Sequence, residues 1–207
     1  MSIPAVSAPD SASARLLALA EEHIRAQGFQ RMRLVAVAEA AGMTHANVYR
    51  YFPSRDALAD AVTVAWLKPI EAALLDAATA PDPAPDKLER MTLALAQAYR
   101  DRLEREPNLF ALFVNAVEKA RPAARKHRSR VRELLGRVVE EAIGEDADRR
   151  DRERMMNLLF DSMHRFISPP NLLQDRKLPR AAFDERIGAV LQIALRSFRS
   201  RAWAIDG

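Results

Sequence analysis

The chain contains no cysteine. Disulfides, a thiol nucleophile and a thiolate metal site are therefore excluded, and the absence fits a reducing cytoplasm, the expected location. Glycine is scarce, with 6 in 207 residues. There is no Gly-rich phosphate loop, no GxSxG turn and no acid–histidine pairing at catalytic spacing, so the sequence calls for neither an enzyme nor a cofactor. His23, His127 and His164 are scattered with no HxxxH or HxxxE pair, so no metal site is expected. Long hydrophobic runs are missing too. The most apolar stretch, 57–75, is broken by Asp60, Lys68, Pro69 and Glu71, which excludes an ordinary membrane span. The first residues, MSIPAVSAPDSAS, lack the basic start and long apolar core of a secretory signal, and 1–11 reads as a disordered tail. No alternating run suggests a strand.

What remains is rich in alanine, leucine, arginine and glutamate, a mixture that favours helices. Apolar periodicity predicts an all-α fold of about nine helices. They fall near 12–27, 34–41, 45–51, 54–78, 86–105, 108–118, 121–143, 150–167 and 180–203. Leu16, Leu17, Ala20 and Ile24 form the first stripe, closed by Gly28. Ser54 is suited to cap the fourth helix, with Asp56 near its positive end. Pro69 is expected to kink that helix or end its first half. The eighth helix is apolar over much of its circumference, and the ninth carries Phe183, Ile187, Val190, Leu191, Ala194, Leu195 and Phe198.

Residues 34–58, LVAVAEAAGMTHANVYRYFPSRDAL, carry the most information. They read as a helix, a tight turn at Gly42, a second short helix and an immediate restart. This is the layout of a helix-turn-helix DNA reader. Val37, Ala38, Ala41 and Val48 are placed to pack the two helices together. The free face of the second helix carries Thr44, His45, Asn47, Tyr49, Arg50 and Tyr51, donors and aromatics that can meet base edges and phosphates. Net charge, at +4, does not by itself point to nucleic acid. In the first 58 residues six arginines (15, 25, 31, 33, 50, 55) face five acids (10, 21, 22, 39, 56), so arrangement carries the inference.

Gly28-Phe29, Val37-Ala38, Ala41-Gly42-Met43-Thr44, Val48-Tyr49, Phe52, Ser54-Arg55-Asp56 and Leu58 together resemble the DNA-binding domain of the tetracycline-repressor (TetR) family. The resemblance spans roughly residues 12–62. It implies a helix-turn-helix DNA-binding domain over 12–62 and a helical effector-binding and dimerisation domain over 63–207, joined inside the fourth helix near 62–66. By that resemblance His45, Ala46 and Asn47 lead into a major groove. Tyr49, Arg50, Tyr51 and Arg55 contact phosphates or neighbouring bases, and Thr44 caps the helix and touches a phosphate. The sequence departs from the family before the second helix, where Met32-Arg33 replace a hydroxyl pair and Val35 a polar residue. Arg33 is the substitute phosphate contact.

The resemblance further implies a cavity for a small-molecule effector, with Trp66, Tyr99, Phe110, Phe113, His127, Met156, Phe160 and Met163 as candidate lining. The same side chains equally suit a dry core. It implies a homodimer through the eighth and ninth helices, and a near-palindromic operator read as two half-sites about 34 Å apart. The function implied is a ligand-responsive transcriptional repressor. The alternative is an all-helical architectural or interaction protein binding DNA weakly without regard to sequence. A basic cluster, Lys119, Arg121, Arg125, Lys126, Arg128, Arg130 and Arg132, reads as a solvated face or as a site for an anionic ligand, flanking DNA or an acidic partner.

Overall fold

The computed structural model describes residues 12–144 and 147–200, with side chains as far as Arg196. The expected tail 1–11, the expected last residues of the final helix at 201–203 and the side chain of Phe198 lie outside the described residues. Every described element is helical: α1 Ala12–Gln27, a 3-10 turn Phe29–Arg31, α2 Leu34–Ala40, α3 His45–Tyr51, α4 Arg55–Thr79, α5 Ala84–Arg105, α6 Pro107–Glu118, α7 Pro122–Ile143, α8 Arg149–Ile167, α9 Pro169–Gln174 and α10 Arg180–Ser200. All nine expected helices are present. The addition is α9, a short helix started by Pro169 and anchored by buried Leu172.

Local chemistry accounts for the main boundaries. Leu16, Ala20 and Ile24, one turn apart, are wholly buried and make α1 the floor of the N-terminal unit. Gly28 ends α1 at φ +81°, a conformation open to glycine because it has no Cβ. Ser54 Oγ accepts from the Ala57 amide at 3.0 Å, and Asp56 lies in the same first turn of α4. α6 and α7 begin with Pro107 and Pro122, where a missing amide donor costs nothing.

α4 is the spine. Its 25 residues span roughly 37 Å at the usual helical rise. Pro69 does not end it, and the helix runs through that exposed position. The first turns of α4 pack on α1, and its length packs on α5, α6 and α7. α8 lies on α7 and α10, and α9 bridges α5, α6 and α8. One continuous apolar cluster runs from Leu16 of α1 to Leu195 of α10. On α8, Met155, Met156, Leu159, Met163 and Phe166 face this core while Leu158 stays exposed. On α10, Phe183, Ile187, Leu191, Ala194 and Leu195 face inward while Ile193 is 68% exposed.

Candidate nucleic-acid interface and small-molecule cavity

The α2–α3 unit is built by a few small contacts. Val37, Ala38 and Val48 are buried between the helices. The chain turns at Gly42 with φ +66°, and the Met43 amide returns to the Ala38 carbonyl at 2.9 Å. Burying Val48 turns the rest of α3 outward. Thr44, His45, Ala46, Asn47, Tyr49, Arg50 and Tyr51 are all exposed, with Tyr49 and Tyr51 each 45% so. The His45 and Tyr49 rings meet edge to face at 4.8 Å, which holds both side chains on one side of the helix. Arg55, half-buried, places its guanidinium 4.4 Å from the centre of the Phe29 ring. Arg33 is exposed at the N-cap of α2 and makes no side-chain cap. Thr44 occupies the N-cap position of α3, but its hydroxyl makes no bond to the helix. The expected cap by Thr44 is therefore corrected: backbone geometry alone starts α3, and the hydroxyl is free for another acceptor or donor.

Two polar ties bind α1 and α4, the helices flanking this unit, to the remaining helices. Arg121, just before α7, donates from Nε to Asp60 Oδ1 at 2.8 Å and pairs through Nη1 with Asp56 Oδ2 at 3.0 Å. Its side chain is only 12% exposed, so the pair works in a partly dry setting. The second tie centres on Glu106, between α5 and α6. Its carboxylate accepts from Arg25 of α1 at 3.0 Å and from the Trp66 indole of α4 at 2.7 Å. Arg102 lies 4.6 Å over the Trp66 ring, and Asn108 Nδ2 donates to the Arg25 carbonyl at 2.9 Å. In sequence, Glu106 and Pro107 fall between two expected helices, and nothing local signals a partner on α1.

A cavity of about 240 Å³ opens between α5, α6, α7 and α8. Of the candidate lining residues, Tyr99, Phe113, His127 and Phe160 border it. Trp66, Phe110, Met156 and Met163 do not: they fill the surrounding core, where Trp66 meets Phe110 and Phe113 edge to face at 6.5 and 6.3 Å. Leu95, Val117, Val131 and Ile167 supply further apolar wall, and Arg125, Arg128, Asp161 and His164 stand exposed at the rim. The rim residues were not on the candidate list. For Arg125 and Arg128 the signal is the basic cluster, which the fold divides: Arg121 goes to α4, Arg125 and Arg128 to the cavity, and Arg130 and Arg132 to Glu133 and Asn157.

His127, 3% exposed, joins the cavity to the spine. Its Nδ1 lies 2.6 Å from Glu71 Oε1 on α4, and its Nε2 lies 2.7 Å from the Tyr99 hydroxyl on α5. Burial pushes the imidazole pKa below its usual value, against the upward pull of Glu71. A neutral ring with a carboxylate at Nδ1 carries its proton there, so Nε2 accepts and the Tyr99 hydroxyl donates. Burial, followed by the Glu71 charge, raises the Tyr99 phenol well above its normal range, so it keeps its proton. Among the described residues no cluster of three or more His, Cys, Asp or Glu could hold a metal ion, and no helix is long and apolar enough to cross a membrane.

The comparisons with known proteins agree with this geometry. Residues 16–62 match the family model described as bacterial regulatory proteins, tetR family, and residues 84–188 match a tetracyclin repressor-like C-terminal domain. No curated protein matches the chain. Among solved structures, a protein of unknown function from Rhodococcus sp. RHA1 is similar with a TM-score of 0.65 at 26% identity, covering 95% of this chain and 98% of that one. A TetR transcriptional regulator from the same organism shares the fold with a TM-score of 0.58 at 19% identity, over 90% and 97% of the two chains. A tetR-family regulator from Streptomyces coelicolor does so with a TM-score of 0.59 at 16% identity, over 94% and 90%. With both family models matched in order along a chain whose described elements are all helical, the protein belongs to the TetR family of transcriptional regulators, with a helix-turn-helix DNA-binding domain.

Proposed function

We propose that the chain is a cytoplasmic, homodimeric repressor that binds a near-palindromic operator through residues 44–51 and is released by a small molecule held in the 240 Å³ cavity. Residues 12–62 act as the reader and 63–207 as the effector-binding and dimerisation part. His45, Ala46 and Asn47 face base edges. Asn47 suits paired bonds to an adenine edge and His45 a bond to guanine. Thr44, Arg33, Tyr49, Arg50, Tyr51 and Arg55 serve phosphates or adjoining bases. Exposed Leu158 and Ile193 support pairing of α8 and α10 with their copies into a four-helix bundle.

One observation carries the reading. α4 begins at the reader, where Arg121 grips Asp56 and Asp60, and further along presents Glu71 to the His127–Tyr99 pair beside the cavity. A ligand that displaces Tyr99 or His127 therefore acts on α4 directly, and a shifted α4 changes the spacing of the two readers. The coupling needed is modest, typically ~1–3 kcal/mol. A mobility-shift assay on the DNA upstream of its own or a neighbouring gene tests the DNA half. Sequence-specific retardation lost in Asn47→Ala or Tyr49→Ala supports it. Weak retardation that salt erases and any sequence satisfies points instead to the architectural alternative.

A further inference from the structure

The cavity is unevenly built. Its inner wall consists of buried Leu95, Phe113 and Val131, with Tyr99 and His127 satisfying each other. Its rim carries charge. Arg125 and Arg128 each follow an inward-facing residue of α7, Ala124 and His127, so both lie along one exposed edge of that helix, and His164 borders the cavity from α8.

The Arg128 side chain makes no hydrogen bond or ion pair among the described residues, although Asp161 borders the same cavity. Arg125 reaches only the backbone carbonyl of Ala120. Elsewhere on α7 the arginines have acidic or amide partners: Arg130 meets Glu133 at 3.0 Å, Arg137 meets Glu133 at 2.5 Å and Arg132 meets Asn157 at 3.1 Å. The two without a side-chain partner are the two that border the cavity.

We infer that the occupant is a small amphipathic carboxylate, its apolar body among Leu95, Phe113, Val131 and Phe160 and its negative group between Arg125, Arg128 and His164. This rests on the proposed reading of the cavity as the effector site. Three observations favour this class. The inner wall of Leu95, Phe113 and Val131 offers no donor, and the half-buried Ser168 hydroxyl beyond the end of α8 is neutral, so a full charge finds cationic partners only at the mouth. A guanidinium without a partner, beside apolar surface, is suited to a charge-assisted and often bidentate bond with a carboxylate. The volume, about 240 Å³, falls below the roughly 300–1,000 Å³ of sites for drug-sized ligands, so the body is short. Asp161 restricts the charge further: it repels a group carrying two negative charges more than a group carrying one.

The test uses octanoate and octan-1-ol as a matched pair, titrated into the full-length protein by calorimetry. Expected is saturable binding of octanoate, at least about tenfold tighter than octan-1-ol. Arg125→Gln combined with Arg128→Gln should weaken octanoate about tenfold and leave octan-1-ol unchanged. Asp161→Asn should tighten octanoate by a few-fold, in the direction opposite to a general loss of folding. All three positions are exposed, so the variants keep the core intact. Equal or tighter binding of octan-1-ol overturns the proposal, as does no saturable binding of either probe. Weaker operator binding by the arginine variant with unchanged octanoate binding also overturns it, and assigns the pair to the DNA backbone. Titrating octanoate into a protein–operator complex separates the two readings. Arginine-dependent octanoate binding that leaves operator affinity unchanged upholds the ligand class and removes the repressor switch. Operator release by octan-1-ol but not octanoate does the reverse.

Discussion

Glu71 of α4 accepts a hydrogen bond from His127 of α7 across 2.6 Å, and the other ring nitrogen of His127 accepts one from the Tyr99 hydroxyl at 2.7 Å. Three helices thus meet at one buried imidazole, and that imidazole borders the cavity.

This arrangement makes stability depend on pH in a definite direction. Burial lowers the His127 pKa below that of the unfolded chain. Above the unfolded value, about 6.5, both states are neutral and the contribution is constant. As pH falls below it, the unfolded chain takes up a proton that the folded ring resists, so stability is lost until the folded pKa is passed. Thermal melts of the native protein should fall between pH 7 and pH 5. His127→Asn, although less stable at pH 7, should show a shallower fall. Parallel slopes would mean that other groups carry the dependence.

Tyr99→Phe removes the donor to His127 Nε2 and leaves a buried acceptor unpaired. The expected cost is about 1–3 kcal/mol. For a chain of this size each kcal/mol moves the melting temperature by about 2–4 °C. Denaturant melts read the change directly. A neutral outcome would show that the ring rotates to a new partner.

Arg121→Ala leaves the Asp60 carboxylate, 22% exposed, without its partner. Partial exposure keeps the expected loss of stability small, about 1 kcal/mol. The larger consequence is mechanical. With the tie between α7 and the start of α4 cut, octanoate should change operator affinity less than it does in the native protein, even where octanoate binds equally well. Anisotropy of a labelled operator with and without octanoate measures this. Undiminished coupling would place transmission elsewhere.

Leu158→Glu together with Ile193→Glu puts charge on the exposed apolar positions of α8 and α10. Light scattering should report a dimer for the native protein and a monomer for this variant, with near-native helical content. A dimer that survives both changes rules out the α8–α10 surface as the interface.

The legible parts of this chain are those set by short-range rules. Gly42, Val48 and the alternation of buried and free positions in 34–58 fix the α2–α3 geometry within a few residues, so the exposed face of α3 could be read in advance. The 3.6-residue stripes likewise located the long helices. α9 escaped because six residues opening with two prolines show no periodicity. The cavity was half legible. Phe110 and Phe113 are the same residue on one helix, yet only Phe113 reaches the cavity, which depends on how α6 meets α5 and α7. Arg121 and Arg128 share a helical face, yet one meets Asp60 of α4 and the other the cavity, because their surroundings belong to distant segments. The Glu106 tie is of the same kind, with partners on α1 and α4 that only the fold brings together.

The most direct test is a hydroxyl-radical footprint of the full-length protein on the DNA upstream of its gene. Two protected patches related by two-fold symmetry are expected, their centres about 34 Å or a multiple of it apart, and both should vanish together in Asn47→Ala. Protection without symmetry, or a footprint that Asn47→Ala leaves in place, would contradict the claim that residues 44–51 of paired chains read the operator.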